Sequence, residues 1–269
     1  MLSRSRTQQS DSVTRLLCIK SNRAGLARQR VPANVISCAD SPAKQIPGRP
    51  PELRPDGEDE RPYLQQQNAC QRVTHADMFA LTALPPGVDE AEWLASNTVA
   101  FFKHINLFSS ALCEFCTPST CPTACGPGNT VYFWTDDHGR KLKCSAPLYF
   151  DYAMSYIQDL LTDEAVFPTK AGELFPTGFV FLVQKVFLLL FRTLAHIYWS
   201  HYRETLALGL HPHLNTLFAH LTLFSRQHAL LEPEETEPMR DLIAALDTLK
   251  HVSRRVSASR CVYSHYPSL

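Results

Sequence analysis

The chain has 269 residues, with 26 basic and 26 acidic side chains, 10 glycines and 19 prolines. Its balanced charge disfavours a general nucleic-acid-binding protein, since such proteins usually carry a basic face. The scarcity of glycine disfavours folds built on glycine-rich phosphate loops, and the sequence contains no P-loop, dinucleotide-binding, protein-kinase, serine-hydrolase or zinc-protease motif.

The two ends of the chain differ in composition from its middle. Residues 1–61 are rich in Ser, Arg, Gln and Pro and poor in aromatic residues, so they bury too little apolar surface to offset the entropy of ordering. We expect a disordered tail over 1–61, a folded domain over 62–250 and a flexible basic tail over 251–269. The N-terminal stretch does not resemble a signal peptide, so the nine cysteines are expected to be thiols or metal ligands rather than disulfides.

The middle of the chain predicts a series of helices. An Asp89-x-x-Glu92 capping box opens the first of them, and its apolar face recurs at steps of four and three residues. The residues of that face are Leu94, Thr98, Phe101, Ile105, Phe108 and Leu112. Further helices are expected over 145–161, 175–208 and 213–228, and from Pro233 or Pro238 to about residue 250. Two short β-prone pieces, 131–134 and 142–144, predict a hairpin.

The long helix invites comparison with a membrane span. Residues 179–199 are strongly apolar, but Gln184, Lys185, Arg192 and His196 interrupt them. Because a charge at the centre of a spanning helix is costly, we expect a buried core helix instead. Amphipathic or fully apolar helices joined by short loops predict an all-α helical bundle with a small β-hairpin.

A cysteine-rich loop follows the first helix. It contains four cysteines: Cys113, Cys116, Cys121 and Cys125. Far downstream lies the pair His196 and His201. Spacing alone allows two zinc sites. Cys116 and Cys121 would join the two histidines in a Cys2His2 site that ties the loop to the long helix. Alternatively, the four cysteines of the Cys113–Cys125 cluster would form a compact knuckle, a kind of zinc module that binds nucleic acid.

Several motifs resemble the Mob (Mps-one-binder) family and occur in the family's order. They are EWLASNT at 92–98, EFC at 114–116, KCSAP at 143–147, VFPTK at 166–170, AHIY at 195–198 and HLNT at 213–216. The resemblance spans roughly 89–249. The amino-acid sequence at 93–98, 195–199 and 204–208 is similar to that of the Mob-two subgroup of kinase activators.

The resemblance implies a non-catalytic regulator. Mob proteins bind the basic N-terminal regulatory segment of NDR/LATS-type AGC kinases in Hippo-like pathways. This chain is therefore expected to act on such a kinase in the cytoplasm and nucleus, without a small-molecule substrate, a membrane or a nucleic acid as partner. The family carries one structural zinc ion, which the resemblance assigns here to Cys116, Cys121, His196 and His201. Four protein ligands leave no open position for a catalytic water.

The resemblance also implies a kinase-binding surface near the start of the first helix. Asp89, Glu90 and Glu92 occupy that surface here, and Asp89 is expected to serve mainly as the helix cap. Val88 and Ala100 stand at two positions that are acidic in the best-known activators. Fewer charges predict weaker contacts with a basic partner. Trp93, in the same turn, is expected to belong to the core.

Some Mob proteins bind phosphorylated peptides through three basic positions on the long helix. Of these positions only Arg192 is basic here, whereas the other two are Leu188 and Leu189. Phosphate recognition favours several positive charges and bidentate guanidinium contacts. We therefore expect Arg192 to be the remnant of a phosphate pocket, or to extend to solvent, and phosphopeptides to bind weakly or not at all.

Overall fold

A computed structural model describes residues 61–255, apart from 75 and 171, with side chains described up to residue 247. Within them the α-helices are Gln66–Ala69 (α1), Met78–Thr82 (α2), Glu90–Ala111 (α3), Ala146–Thr162 (α4), Phe179–Ser200 (α5), Tyr202–Ala207 (α6), His211–Gln227 (α7), Pro233–Thr236 (α8) and Arg240–Arg255 (α9). The strands are Cys125–Gly126 (β1), Thr130–Val131 (β2), Phe133–Thr135 (β3) and Lys141–Lys143 (β4). The fold is mostly helical, as the sequence predicted, and it contains two small antiparallel strand pairs where one hairpin was expected.

Helix α3 begins at the predicted cap. The Asp89 carboxylate accepts hydrogen bonds from the backbone N–H groups of Ala91 (3.0 Å) and Glu92 (3.2 Å), which have no partner inside the helix. The predicted apolar face is buried along its whole length, and Ile105 is fully inaccessible. This face packs along α5, so the period of the sequence and the direction of burial agree.

Helix α5 is the centre of the bundle and contacts α3, α4, α6 and α7. Phe187 on α5 packs edge-on against Phe101 of α3 (5.4 Å between ring centroids) and stacks on Phe224 of α7 (5.6 Å). Among the described residues, α5 is the one helix long and apolar enough to cross a bilayer by length and composition. Because 61% of its apolar window is buried by the surrounding helices, it is the core helix that the sequence predicted.

The long helix expected over 175–208 is instead two helices. Helix α5 starts at Phe179, ends at Ser200, and is followed by the short α6 from Tyr202. His201 between them has φ −130° and ψ 21°, outside the helical region, although its N–H still donates to the Ile197 carbonyl (2.9 Å). The prediction of one continuous helix was wrong because the hydrophobic period continues through the break.

The predicted hairpin is present in part. Strand β3 pairs with β4, with Trp134 opposite Leu142. Val131, expected in the same hairpin, pairs with Cys125 in the β1–β2 pair. The two strand pairs are joined through Ala124, whose N–H donates to the Cys144 carbonyl (2.9 Å) and whose carbonyl accepts from Tyr132 (2.9 Å). These bonds are non-local, and local β-propensity carries no information about them.

Both ends of the described chain pack against the bundle. Tyr63 lies edge-on to Tyr198 and Tyr202, and Arg61 forms an ion pair with Asp241 on α9 (3.2 Å). The last predicted helix is divided into α8, a 3-10 helix over Glu237–Met239, and α9. Helix α9 continues to Arg255, five residues into the stretch that we expected to be a flexible tail. The predictions for 1–60 and 256–269 lie outside the described residues.

Candidate functional site

Two cysteines of the loop and two histidines of the α5 end converge in space. The ligand atoms of Cys116, Cys121, His196 and His201 all lie within 4.8 Å of one another. The Sγ of Cys116 is 3.6 Å from Nε2 of His196, and the Sγ of Cys121 is 3.4 Å from Nε2 of His201. In a tetrahedral zinc site with the usual Zn–S and Zn–N bond lengths, sulfur and nitrogen lie about 3.5 Å apart. The four side chains therefore fit a zinc ion.

The cysteine loop is shaped by hydrogen bonds within it. The N–H of Cys121 donates to the Thr117 carbonyl (2.8 Å), and the Thr120 hydroxyl donates to the Phe115 carbonyl (2.7 Å). The Cys121 carbonyl accepts from the N–H of Ala146 (3.0 Å), which begins α4. The loop is thus tied to the bundle at Cys121 before any metal is considered.

The helix break at His201 makes the ligand set possible. Residues five apart on a regular α-helix point about 140° away from each other, since each residue turns the helix by about 100°. His196 lies inside α5, and His201 leaves the helical conformation directly after its last residue. The His-x4-His spacing predicted either a local distortion of the helix or one histidine reaching around it, and the structure shows the distortion.

The two histidines are held differently. Nδ1 of His196 lies 2.7 Å from the Cys125 carbonyl oxygen, to which it donates, so Nε2 is left unprotonated and faces the cysteines. Nδ1 of His201 is buried without a hydrogen-bond partner in the described part of the chain. His201 is therefore positioned by its backbone, by packing and by the contact of its Nε2 with the Sγ of Cys121.

The sulfurs of Cys116 and Cys121 lie within 4.8 Å of each other. Their shared hydrogen bond lowers the pKa of Cys121, and the two histidines lower it further. The same hydrogen bond, together with burial, raises the pKa of Cys116. One thiolate is thus favoured and the second opposed, as expected for two sulfurs held together without a cation between them. A divalent metal removes that conflict because it binds both as thiolates.

The four-cysteine knuckle does not form in the described residues. Cys113 is exposed, and Cys125 contributes its carbonyl oxygen to His196 rather than a ligand to the cluster. The alternative of a nucleic-acid module built on the Cys113–Cys125 cluster therefore has no ligand set to support it.

The order and spacing of these residues match a known family. The Mob1/phocein family model matches residues 70–239. The chain belongs to this family. It is 50% identical over 198 residues to the human MOB kinase activator 2 and 49% identical over 198 residues to the mouse protein of that name. These alignments cover 74% of the chain and 83% and 84% of the relatives. The Maintenance of ploidy protein mob2 of Schizosaccharomyces pombe is 37% identical over 185 residues, covering 69% of the chain and 76% of that protein. The similarity to these relatives confirms the prediction of the Mob-two subgroup.

The three acidic residues at the start of the Mob domain's helix α3 do not share one environment. Asp89 is engaged as the cap, Glu90 is exposed and Glu92 is half-buried. Val88, which precedes them, is also exposed. Trp93 packs towards Phe224 with 6.4 Å between ring centroids, in line with the prediction that it belongs to the core.

A strip of exposed apolar side chains leads into this acidic turn. Its members, which we call the α2 strip, are Phe79 (63% exposed), Leu81 (52%), Leu84 (41%) and Val88 (40%). The sequence analysis did not identify these residues, because α2 has only five residues and too few turns to show a period. The available signal was Asp77, whose side chain accepts from the N–H groups of Phe79 and Ala80 as an N-cap does.

Arg192 is neither free nor extended to solvent. Its guanidinium donates to both carboxylate oxygens of Glu235 (3.0 Å each) and to the hydroxyl of Tyr149 (3.3 Å), and it lies over the ring of Tyr132. Leu189 is buried and Leu188 is half-buried. The expectation that Arg192 would extend to solvent was wrong, because Glu235 on α8 satisfies its charge inside the fold.

Proposed function

We propose that this protein is a non-catalytic adaptor that binds the basic N-terminal regulatory segment of an NDR/LATS-type AGC kinase and modulates the kinase's activity. The observation that carries the proposal is the exposed acidic turn of α3 next to the α2 strip. The relatives named MOB kinase activator 2 support a kinase as the partner. The proposal includes a Hippo-like signalling role in the cytoplasm and nucleus.

The acidic turn and the α2 strip belong to one surface. Both elements pack on the C-terminal end of α7. Trp93 of α3 lies against Phe224, while His228 contacts the Thr82 carbonyl of α2 (2.9 Å) and Gln227 donates to the Phe79 carbonyl (3.4 Å). Because α2 and the start of α3 both pack on this end of α7, we place the exposed side chains of Phe79 and Glu90 on one surface.

A surface of this composition fits a basic amphipathic helix. The apolar face of such a helix buries against exposed apolar side chains, and its lysines and arginines meet the carboxylates at the edge. Glu90 is exposed and, unlike Asp89, does not cap the helix. The partial positive charge at the start of α3 partly offsets its negative charge. With Val88 and Ala100 uncharged, we expect apolar contacts to supply more of the affinity than in relatives with more acidic residues.

We further propose that Cys116, Cys121, His196 and His201 hold one structural zinc ion. Bound zinc would supply cross-linking of the cysteine loop to the α5 end, and part of its binding free energy would appear as folding stability. The chain's own residues prepare the site: the Cys125 carbonyl orients His196, and the Thr117–Thr120 turn presents Cys121. The zinc does not contact the α2 strip directly in this proposal. It stabilises the bundle on which that strip rests.

The test is a titration of the purified full chain with a peptide matching the basic N-terminal segment of an NDR-type kinase. We expect saturable binding that weakens with salt. Glu90→Lys should weaken it about tenfold through charge reversal at the contact, and Phe79→Ser should weaken it by loss of apolar burial. The matched control is Asp159→Lys, which reverses an exposed carboxylate on α4. Equal effects of Glu90→Lys and Asp159→Lys would contradict the assigned surface, and absence of binding would contradict the adaptor function.

A further inference from the structure

Cys116 has a neighbouring thiol that is not part of the metal cluster. Cys113 and Cys116 form a Cys-x-x-Cys pair directly after α3. The N–H of Cys116 donates to the Leu112 carbonyl (3.2 Å), as does the N–H of Phe115 (3.1 Å), so the segment makes one helical turn. Residues three apart on such a turn lie on the same side of it.

The turn brings the two cysteines almost to disulfide distance. Cβ atoms three residues apart on a helical turn are about 5–6 Å apart, whereas a disulfide needs about 3.5–4.5 Å. A small tightening of the turn would therefore join the sulfurs.

The two thiols differ in access. Cys113 is exposed and Cys116 is half-buried, while Cys121 is 6% exposed. Glu114 and Phe115, which separate the pair, are exposed as well. A small oxidant therefore reaches Cys113 from solvent, whereas the buried Cys121 is shielded from it. The sulfur of Cys121 lies within 4.8 Å of that of Cys116, so it is access to the oxidant, not spacing, that favours Cys113 as the thiol oxidised first and hence as the partner for a bond to Cys116.

We propose that Cys113 and Cys116 form a reversible disulfide under hydrogen peroxide, and that this modification withdraws Cys116 from the zinc ligand set. The Cys113 thiolate attacks peroxide, giving a sulfenic acid and hydroxide. The Cys116 thiolate then attacks the Cys113 sulfur, forming the S–S bond and breaking the S–O bond, and the departing hydroxide is protonated to water. Two thiols are oxidised by two electrons and one peroxide is reduced to two waters. One sulfur cannot be both a disulfide sulfur and a thiolate ligand, so the two states exclude each other.

This inference rests on the proposed zinc site. The experiment treats the full chain, first reduced and assayed for zinc, with hydrogen peroxide. Zinc release is followed with a coloured chelator, and disulfides are assigned by peptide mapping without reductant. We expect a 113–116 disulfide and loss of the bound zinc, both reversed by dithiothreitol with added zinc. Cys113→Ser should keep its zinc under the same peroxide treatment. Cys125→Ser, which removes another thiol beside the ligands, should release zinc as the wild type does.

The outcomes separate the two proposals. A reduced chain that contains no zinc before oxidation contradicts the zinc site, and peptide mapping still tests the thiol pairing. A zinc-loaded chain in which peroxide joins Cys116 to Cys121 contradicts the pairing. Equal zinc loss from Cys113→Ser and the wild type contradicts it as well. Circular dichroism of Cys113→Ser checks that this exposed substitution leaves the fold intact.

Discussion

Nδ1 of His196 donates a hydrogen bond of 2.7 Å to the backbone carbonyl of Cys125. This contact links the core helix α5 to strand β1 and determines which nitrogen of the imidazole faces the two cysteines. The orientation of one proposed ligand therefore depends on a strand pair that supplies no ligand of its own. Substitutions in that strand pair should therefore disturb the site even though they change none of the proposed ligands.

Gly126 is the residue through which this dependence can be tested. Its backbone is extended, so any residue could adopt its conformation, but a Cβ atom there would overlap the hydroxyl of Tyr132. Gly126→Ala must displace the ring or the strand, which we expect to cost about 1–3 kcal/mol, as overpacking in a core does. Chemical denaturation measures the free energy of unfolding, and a zinc titration should show weaker binding.

The control is a double-substitution cycle. Tyr132→Leu removes the hydroxyl and part of the ring that the new methyl group would meet. If the collision is the cause, Gly126→Ala should cost less in the Tyr132→Leu background than in the wild type. Simple additivity of the two changes would show that space beside Tyr132 is not why glycine is needed.

Metal removal should lower the stability of the whole domain. In the proposed site, four ligands from the loop and the α5 end would share one ion, so part of the binding free energy would be folding free energy. Chelation should lower Tm by about 2–4 °C for each kcal/mol lost in a domain of this size. His201→Ala should start at the lower Tm and respond little to chelator. His138→Ala, in an exposed turn outside the cluster, should respond as the wild type does.

The fold elements that the sequence predicted well are those set by local patterns. The Asp89 cap and the apolar period of α3 were correct because a cap and one buried face are encoded within about twenty residues. The ligand set needed more: spacing left two zinc schemes open, and the family resemblance chose between them. The structure agrees with that choice by bringing Cys116 and Cys121 to His196 and His201.

The features that sequence reasoning missed depend on contacts between distant segments. The spacing of the two histidines left a helix distortion and a histidine that reaches around the helix as alternatives, and the break at His201 is selected by contact with two cysteines that lie 80 residues or more earlier. Val131 pairs with Cys125 rather than within the predicted hairpin, and the bonds of Ala124 to Cys144 and Tyr132 that join the two strand pairs are non-local. Arg192 was expected to line a remnant phosphate pocket or to extend to solvent, and its partner Glu235, 43 residues away, has no local signal in the sequence. None of these relationships has a local period.

Acidification should destabilise the bundle through His220. Burial, followed by the charge of nearby His104, lowers the pKa of His220 below its ordinary value of 6.5. The unfolded state therefore gains a proton near pH 6.5 that the folded state does not accept at that pH. The contribution of His220 to the free energy of unfolding is complete above pH 6.5 and decreases as the pH is lowered below 6.5. The slope from one such proton is at most about 1.4 kcal/mol per pH unit.

Urea unfolding at pH 7.5, 6.5 and 5.5 measures this slope. His220→Phe keeps a ring beside Phe101 without a titrating group, and it should flatten the profile. His138→Gln, which changes an exposed histidine, should leave the profile unchanged. A His220→Phe profile as steep as that of the wild type would assign the pH dependence to other groups.

Phosphorylated peptides should bind this protein weakly or not at all. Arg192 is the basic residue left at the pocket positions, and its guanidinium is committed to both oxygens of Glu235 and to Tyr149. A phosphate would have to displace a carboxylate whose two oxygens already contact one guanidinium nitrogen, without a second cation to help it. We expect a phosphothreonine peptide from an upstream kinase linker to show no affinity tighter than about 1 mM in a titration. Micromolar binding that disappears on dephosphorylation would contradict this.

Restoring the two other basic residues should have unequal effects. Leu188 is half-buried, so Leu188→Lys can extend its ammonium group to solvent and add a phosphate contact. Leu189 is only 5% exposed, so Leu189→Arg places a charge in the core and should destabilise the fold by several kcal/mol.

The informative variant is therefore Leu188→Lys combined with Glu235→Gln, which adds one cation and frees the guanidinium of Arg192 from its carboxylate partner. We expect this variant to gain phosphate-dependent binding in the same titration, whereas Leu188→Lys alone should gain less because Glu235 still occupies Arg192. Equal gains from the single and double variants would show that Glu235 does not block the pocket.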